Sequence, residues 1–139
     1  MSEHAKYVIG IDLGTTNSAI TYKPLDSQDP IKLLEIPQFK APGQTEHKSL
    51  MPSFLYIPAE TEVLKEDICL PWQVDSTIIV GDYAKFKAQS TPNRIISSVK
   101  SWLCQPNVDK RKALLPKMAP EGLGASGLII DFVYPYTKS

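Results

Sequence analysis

A single mixed α/β domain is the fold class that the sequence predicts, and three observations predict it. Residues 7–13 read Tyr-Val-Ile-Gly-Ile-Asp-Leu, an apolar and β-branched run with no charge before Asp12, closed by Gly14-Thr15-Thr16-Asn17. That is a strand running into a turn. Further on, Ile95, Ile96, Val99, Trp102 and Leu103 fall at i, i+1, i+4, i+7 and i+8, the stripe of an amphipathic helix. Finally, 12 prolines in 139 residues exceed the usual share and shorten elements, which argues against a helical bundle. The length is that of one modest domain.

Composition narrows the function classes. Fifteen basic residues balance fifteen acidic ones, so no whole-chain field draws in nucleic acid or an anionic membrane. Leu, Ile, Val and Phe make up about a quarter of the chain, above the roughly 20% floor below which chains stay disordered. No apolar run is long enough to span a bilayer, and Met1–Lys6 lacks the apolar core of a secretory signal. Two cysteines, Cys69 and Cys104, are too few for a disulfide framework or a zinc site. The expectation is a cytoplasmic protein with neither nucleic acid nor membrane as partner.

Each element follows from local chemistry. The run 7–13 suits a strand buried on both faces. The turn and residues 18–23 complete a hairpin with its tip at 13–17. Residues 24–30 form a loop between Pro24 and Pro30, and 31–36 form a third strand stopped by Pro37. The polar stretch 38–50, with Pro42-Gly43, is expected to be a mobile surface loop. Pro52 opens and Pro58 closes a strand at 53–57. Residues 59–76 show no clear period. Thr77–Val80 is a short strand, and a helix starts at Gly81-Asp82 and runs to about Gln89. Pro92-Asn93 starts the second helix, with Lys100 on the flank of its apolar stripe, where the stem is covered and the ammonium reaches out. Leu128–Tyr136 has the pattern of an apolar-aromatic strand after the flexible Gly122–Gly127.

The segment able to carry chemistry is Ile9–Ser18. It contains no P-loop signature. It sets a carboxylate, Asp12, at a strand end directly before Gly14, Thr15, Thr16 and Asn17. Turn N–H groups and two hydroxyls can cradle phosphate oxygens, and a cation such as magnesium would relieve the repulsion between phosphate and Asp12. The same residues also fit a plain polar hairpin turn whose Asp is satisfied by its own backbone. His4 and His47 are isolated, Cys104 reads as a small core residue, and Trp72 after Pro71 fits either a core cap or an interaction surface.

Four segments carry a family resemblance. Ile9-Gly-Ile-Asp-Leu-Gly-Thr-Thr-Asn-Ser18 resembles the first phosphate loop of the ATPases that share the actin, hexokinase and heat-shock chaperone fold. Met51-Pro-Ser-Phe-Leu55, Val80-Gly-Asp-Tyr-Ala-Lys85, and Thr91-Pro-Asn93 with Ser98-Val-Lys-Ser-Trp-Leu103 are similar, in order, to segments of the DnaK-type 70-kilodalton heat-shock chaperones. Ser97–Cys104 with Val108-Asp109 most resembles a divergent bacterial branch of that family. Sugar and metabolite kinases of the same superfold share the first segment but lack the other three. Bacterial actin-like filament proteins carry arginine with proline where Lys100 stands.

The resemblance implies a ribonuclease-H-like, actin-type first lobe, incomplete, with a small subdomain over about 37–115. Residues 1–116 would be the N-terminal part of the nucleotide-binding domain, and 117–139 a divergent tail. It implies ATP and Mg²⁺ as ligands: Asp12 meets the hydrated magnesium, and Gly14, Thr15, Thr16 and Asn17 hold the β- and γ-phosphates. Lys100 approaches the γ-phosphate and the attacking water, a role that needs a compact cation and good positioning. Intact relatives couple ATP hydrolysis to the grip on unfolded polypeptide clients and work with co-chaperones. Their second phosphate loop, adenosine motif and peptide-binding domain do not occur in these 139 residues. The chain alone is therefore expected to bind ATP weakly and to hydrolyse it negligibly. The stretch 59–76 is longer than in the usual chaperone.

Overall fold

The computed structural model describes residues 4–98 except 75, residues 100 and 101, and residue 106. Strands dominate over helix, and the class is mixed. β1 (Tyr7–Leu13) and β2 (Asn17–Pro24) form an antiparallel hairpin with Ile9 opposite Tyr22, Ile11 opposite Ile20 and Asp12 opposite Ala19. On the far side of β2, two short strands lie end to end: β3 (Lys32–Leu33) along Thr21–Tyr22 and β6 (Met51–Pro52) along Asn17–Ser18. β4 (Ile36–Ala41) and β5 (Gln44–Lys48) make a separate hairpin. A third sheet has β7 (Phe54–Tyr56) between β8 (Ile79–Val80) and β9 (Ile95–Ser97). The helix α1 (Asp82–Lys87) packs on β7 and β4.

Three elements differ from the sequence expectation. The stretch 38–50 is mostly the β4–β5 hairpin and not a loop: Pro42-Gly43 is its turn, with Gly43 at φ 72°, and Gln38 and Phe39 are buried. The third strand expected over 31–36 shrinks to Lys32–Leu33: after one further bond from the Leu34 N–H to the Ile20 carbonyl the chain leaves the first sheet, and β4 begins at Ile36. The helix expected from Pro92 begins as a 3-10 turn, Pro92–Arg94, and then becomes β9. Ile95 and Ile96 are β-branched neighbours that fit a pleated, buried position beside β7 better than a helical stripe. Ser98 then takes φ 56°, and helical backbone is present at Lys100 and Ser101. Val99, Trp102, Leu103 and Cys104 lie outside the described residues, as do the expected boundary at 116/117 and the tail. None of the described helices is long and apolar enough to cross a membrane.

The core lies outside the first sheet. Phe39, Tyr56, Ile68, Leu70, Ile79, Ala84 and Ile95 form one buried cluster between the third sheet, α1, β4 and the 3-10 turn Lys65–Ile68. Beneath it lies a polar knot. The Tyr56 hydroxyl donates to Glu62, Lys87 Nζ donates to Glu62 Oε1 at 2.6 Å, and the same ammonium stands 5.2 Å over the Tyr56 ring. The Lys87–Glu62 hydrogen bond holds the Lys87 pKa above its ordinary value. Burial opposes the ionised form of Glu62, yet the hydrogen bonds from Lys87, Tyr56 and the Ala59 N–H outweigh it, so the carboxyl stays below its ordinary 4.5. Burial, followed by the hydrogen bond to Glu62, pushes the Tyr56 phenol up.

The signs fix a stability window. The Glu62 contribution is present above pH 4.5 and is lost as pH falls through the lower, folded value. The Lys87 contribution is present below 10.5 and is lost as pH rises through the raised folded value. Unfolding by urea from pH 2 to pH 7 should therefore show an acid limb that flattens in Glu62→Gln. An unchanged limb would assign acid sensitivity to other carboxylates.

β1 departs most from its expected surroundings. The sequence pattern suits burial on both faces, but Tyr7, Val8, Ile9, Ile11 and Leu13 are each more than half exposed. One face of the hairpin carries Tyr7, Ile9, Ile11 and Leu13 with Ile20 and Tyr22; the other carries Val8, Gly10 and Asp12 with Ala19 and Thr21. The first face includes an open apolar hollow lined by Tyr7, Ile9, Ile20, Tyr22 and Leu34. Among the described residues no layer covers it, and none pairs with the outer edge of β1.

Candidate functional site

The turn between β1 and β2 is built by exclusion. A Cβ on Gly14 would overlap the carbonyl oxygen of Asn17, so the chain closes this tightly only with glycine at 14. The requirement is close approach: left-handed backbone among the described glycines occurs at Gly43 and Gly81. Four residues before Gly14, Gly10 leaves room for Thr21, whose hydroxyl donates to the Gly10 carbonyl at 3.3 Å. A Cβ there would stand 2.6 Å from that hydroxyl oxygen. The face carrying Asp12 is thereby kept low, with Gly10, Ala19 and the short Thr21 around it.

Two distant segments hold the turn. Ser53 lies between β6 and β7, and it grips the turn twice: its N–H donates to the Thr16 carbonyl at 2.9 Å and its hydroxyl to the Gly14 carbonyl at 2.8 Å. From 87 residues away, Lys100 Nζ donates to the Leu13 carbonyl at 2.8 Å. The ammonium thus sits at the peptide between the Asp12 strand end and Gly14. Asp12, Thr15, Thr16 and Lys100 are exposed, while Gly14 and Asn17 are half-buried. The structure therefore gathers Asp12, Gly14, Thr15, Thr16, Asn17 and Lys100 around one open turn.

Chemically the turn offers a carboxylate, two hydroxyls, backbone N–H groups and a cation within one loop's width. Oxyanions are taken by the last three kinds of group. Asp12 is the one carboxylate of the turn, and among the described residues no three His, Cys, Asp or Glu side chains gather to cage a metal. Such a donor set fits magnesium, which keeps several waters and is commonly bound through one or two carboxylates plus substrate phosphates. It does not fit a structural zinc site.

Ser53 is the residue of the candidate site whose part the sequence left unassigned. Its signal was present in Pro52-Ser53, a proline that ends one short strand followed by a hydroxyl free to turn back. Ser53→Ala removes one of the two clamps, and the expected cost is about 1 kcal/mol of stability, read by urea unfolding. Broadened amide resonances at Gly14–Asn17 would show the loosened turn, and unchanged resonances would show that the Ser53 N–H suffices.

His47 is exposed on β5, and Trp72 is more than half exposed beside the Leu70–Gln73 bridge, away from the turn. Cys69 is a free thiol whose Sγ lies 2.9 Å from the Lys65 carbonyl and 2.8 Å from that of Val74. Comparison of the chain with family models, with curated proteins and with solved structures returns no match.

Proposed function

We propose that the β1–β2 turn is a phosphate-binding loop for magnesium-ATP, in an N-terminal portion of a DnaK-type chaperone's ATPase domain with an actin-type first lobe. The observation that carries the reading is the meeting of Lys100 with the Leu13 carbonyl. It joins the two segments that the family resemblance assigns to one phosphate site, although they are 87 residues apart in sequence. The supporting chemistry is the low face around Asp12 and the exposed Thr15 and Thr16 hydroxyls beside a lysine. In this reading Asp12 orients the waters of magnesium, the turn holds the β- and γ-phosphates, and Lys100 turns from Leu13 to the γ-phosphate. Phosphoryl transfer to water is mostly positioning and charge neutralisation, which these groups supply. Coupling to unfolded polypeptide and to co-chaperones belongs to the parent family's other parts.

On this reading the turn would meet a nucleotide from one side alone, whereas ligand sites usually enclose most of the ligand. Affinity is therefore expected near millimolar, about −4 kcal/mol. Titration of the chain with Mg·ATP, followed by amide chemical shifts, is the test. Shifts should concentrate at Gly14, Thr15, Thr16 and Asn17, depend on magnesium, disappear in Asp12→Asn and weaken several-fold in Lys100→Ala. Shifts absent from the turn at saturating nucleotide, or equal without magnesium, would overturn the reading. Isothermal titration of the same three proteins gives the affinities.

A further inference from the structure

The outer edge of β1 is an open template. Its residues are all exposed, no strand among the described residues pairs with it, Lys100 takes up the Leu13 carbonyl at its end, and it carries none of the lysine, proline or bulge that usually blunts an edge. Its alternation is specific: Tyr7, Ile9, Ile11 and Leu13 on one face, and Val8, Gly10 and Asp12 on the other. Residues 128–134, Leu-Ile-Ile-Asp-Phe-Val-Tyr, repeat that pattern at the same length. Four large apolar residues occupy the odd places, an aspartate lies among the even ones, and Pro135 follows directly.

We propose that residues 128–134 of this chain add to the first sheet as an edge strand along β1. In the centred register Asp131 stands opposite Gly10, the one position of β1 without a side chain. Leu128, Ile130, Phe132 and Tyr134 then extend the apolar face of the hairpin.

Reach favours this occupant. Lys100 is tied to Leu13, so the chain beyond Ser101 sets out from the C-terminal end of β1. About 26 residues separate Ser101 from Leu128, and a tether of that length can reach well beyond the roughly 23 Å of a seven-residue strand, so either strand direction is accessible. A segment tethered this way acts at an effective concentration near millimolar, well above that of a second copy at micromolar protein. The proposal is independent of what the β1–β2 turn binds.

Amide hydrogen exchange of the full chain, resolved residue by residue, tests it. The β1 amides that point away from β2 should be protected, to the same degree at 10-fold different protein concentrations. Ile130→Pro, which removes a ladder donor, should speed their exchange about tenfold or more, and Ile130→Val should not. Leu55, Ile79 and Ile96 in the third sheet serve as internal controls and should be unaffected by either change. Outward β1 amides that exchange freely in the unaltered chain would overturn the proposal. Protection that grows with concentration and survives Ile130→Pro would overturn it too, and would assign the edge to a second copy.

Discussion

Gly14→Ala is expected to abolish nucleotide-dependent shifts in the turn and to destabilise the protein by about 2–3 kcal/mol. The added Cβ meets a backbone atom, the carbonyl oxygen of Asn17, so no side-chain rotation can absorb it. The turn must open. Opening carries the Gly14 carbonyl away from the Ser53 hydroxyl and the Leu13 carbonyl away from Lys100, each now at 2.8 Å. Two hydrogen bonds at about 1 kcal/mol each, plus residual strain, account for the size of the loss. Urea unfolding reads the stability and the Mg·ATP titration reads the site. Undiminished binding in Gly14→Ala would mean that phosphate is held somewhere else.

Gly81→Ala should be the more damaging change for folding, costing about 3–5 kcal/mol out of a total commonly between 5 and 15. Gly81 sits at φ 92° and ψ −135°, backbone that a residue with a Cβ rarely adopts. Its missing side chain also makes room for Gln38, whose Oε1 a Cβ would overlap. Gln38 is 2% exposed and satisfies two backbone groups: its amide donates to the Leu50 carbonyl at 2.9 Å, and its Oε1 accepts from the Asp82 N–H at 3.2 Å. Displacing it leaves both without their partner beside the start of α1. A double-mutant cycle with Gln38→Ala separates the causes. Strong coupling would locate the damage in the Gln38 clash, and simple additivity would locate it in the backbone conformation.

Those two glycines also show what the sequence made legible. Gly14 belongs to an unbroken strand–turn–strand pattern, and the hairpin over 7–24, the strand near 54–56 and the helix from Asp82 all follow from local residues. The β4–β5 hairpin was hidden because its solvent side, Gln44–Lys48, is wholly polar and only Gln38 and Phe39 anchor it. Ile95-Ile96 fits two periods at once, and only the neighbouring β7 decides for a strand. β1 reads as a buried strand because its side chains are those of one; the described residues simply bring it no cover. Within the candidate site, residues 12–17 are contiguous and so stood out together. Lys100 is an ordinary surface lysine by spacing alone and entered through the family resemblance. The Ser53 contact is tertiary: Pro52-Ser53 marks a hydroxyl at a strand end, but nothing local says which turn it reaches.

The clamp on the turn has a consequence for the order of events during synthesis. The β1–β2 hairpin leaves the ribosome before Ser53 and Lys100 do, yet the bonds that shape its tip come from these two, 39 and 87 residues from their partners. Closing such long loops is slow relative to local pairing. A chain exposed as far as residue 60 can hold the hairpin and one clamp, and one exposed as far as residue 90 still lacks the cation. The β1–β2 turn is thus made before both of its clamps and is finished only after them. Chains arrested before residue 100 should expose an unfinished tip, even where the strands on either side of it have already paired.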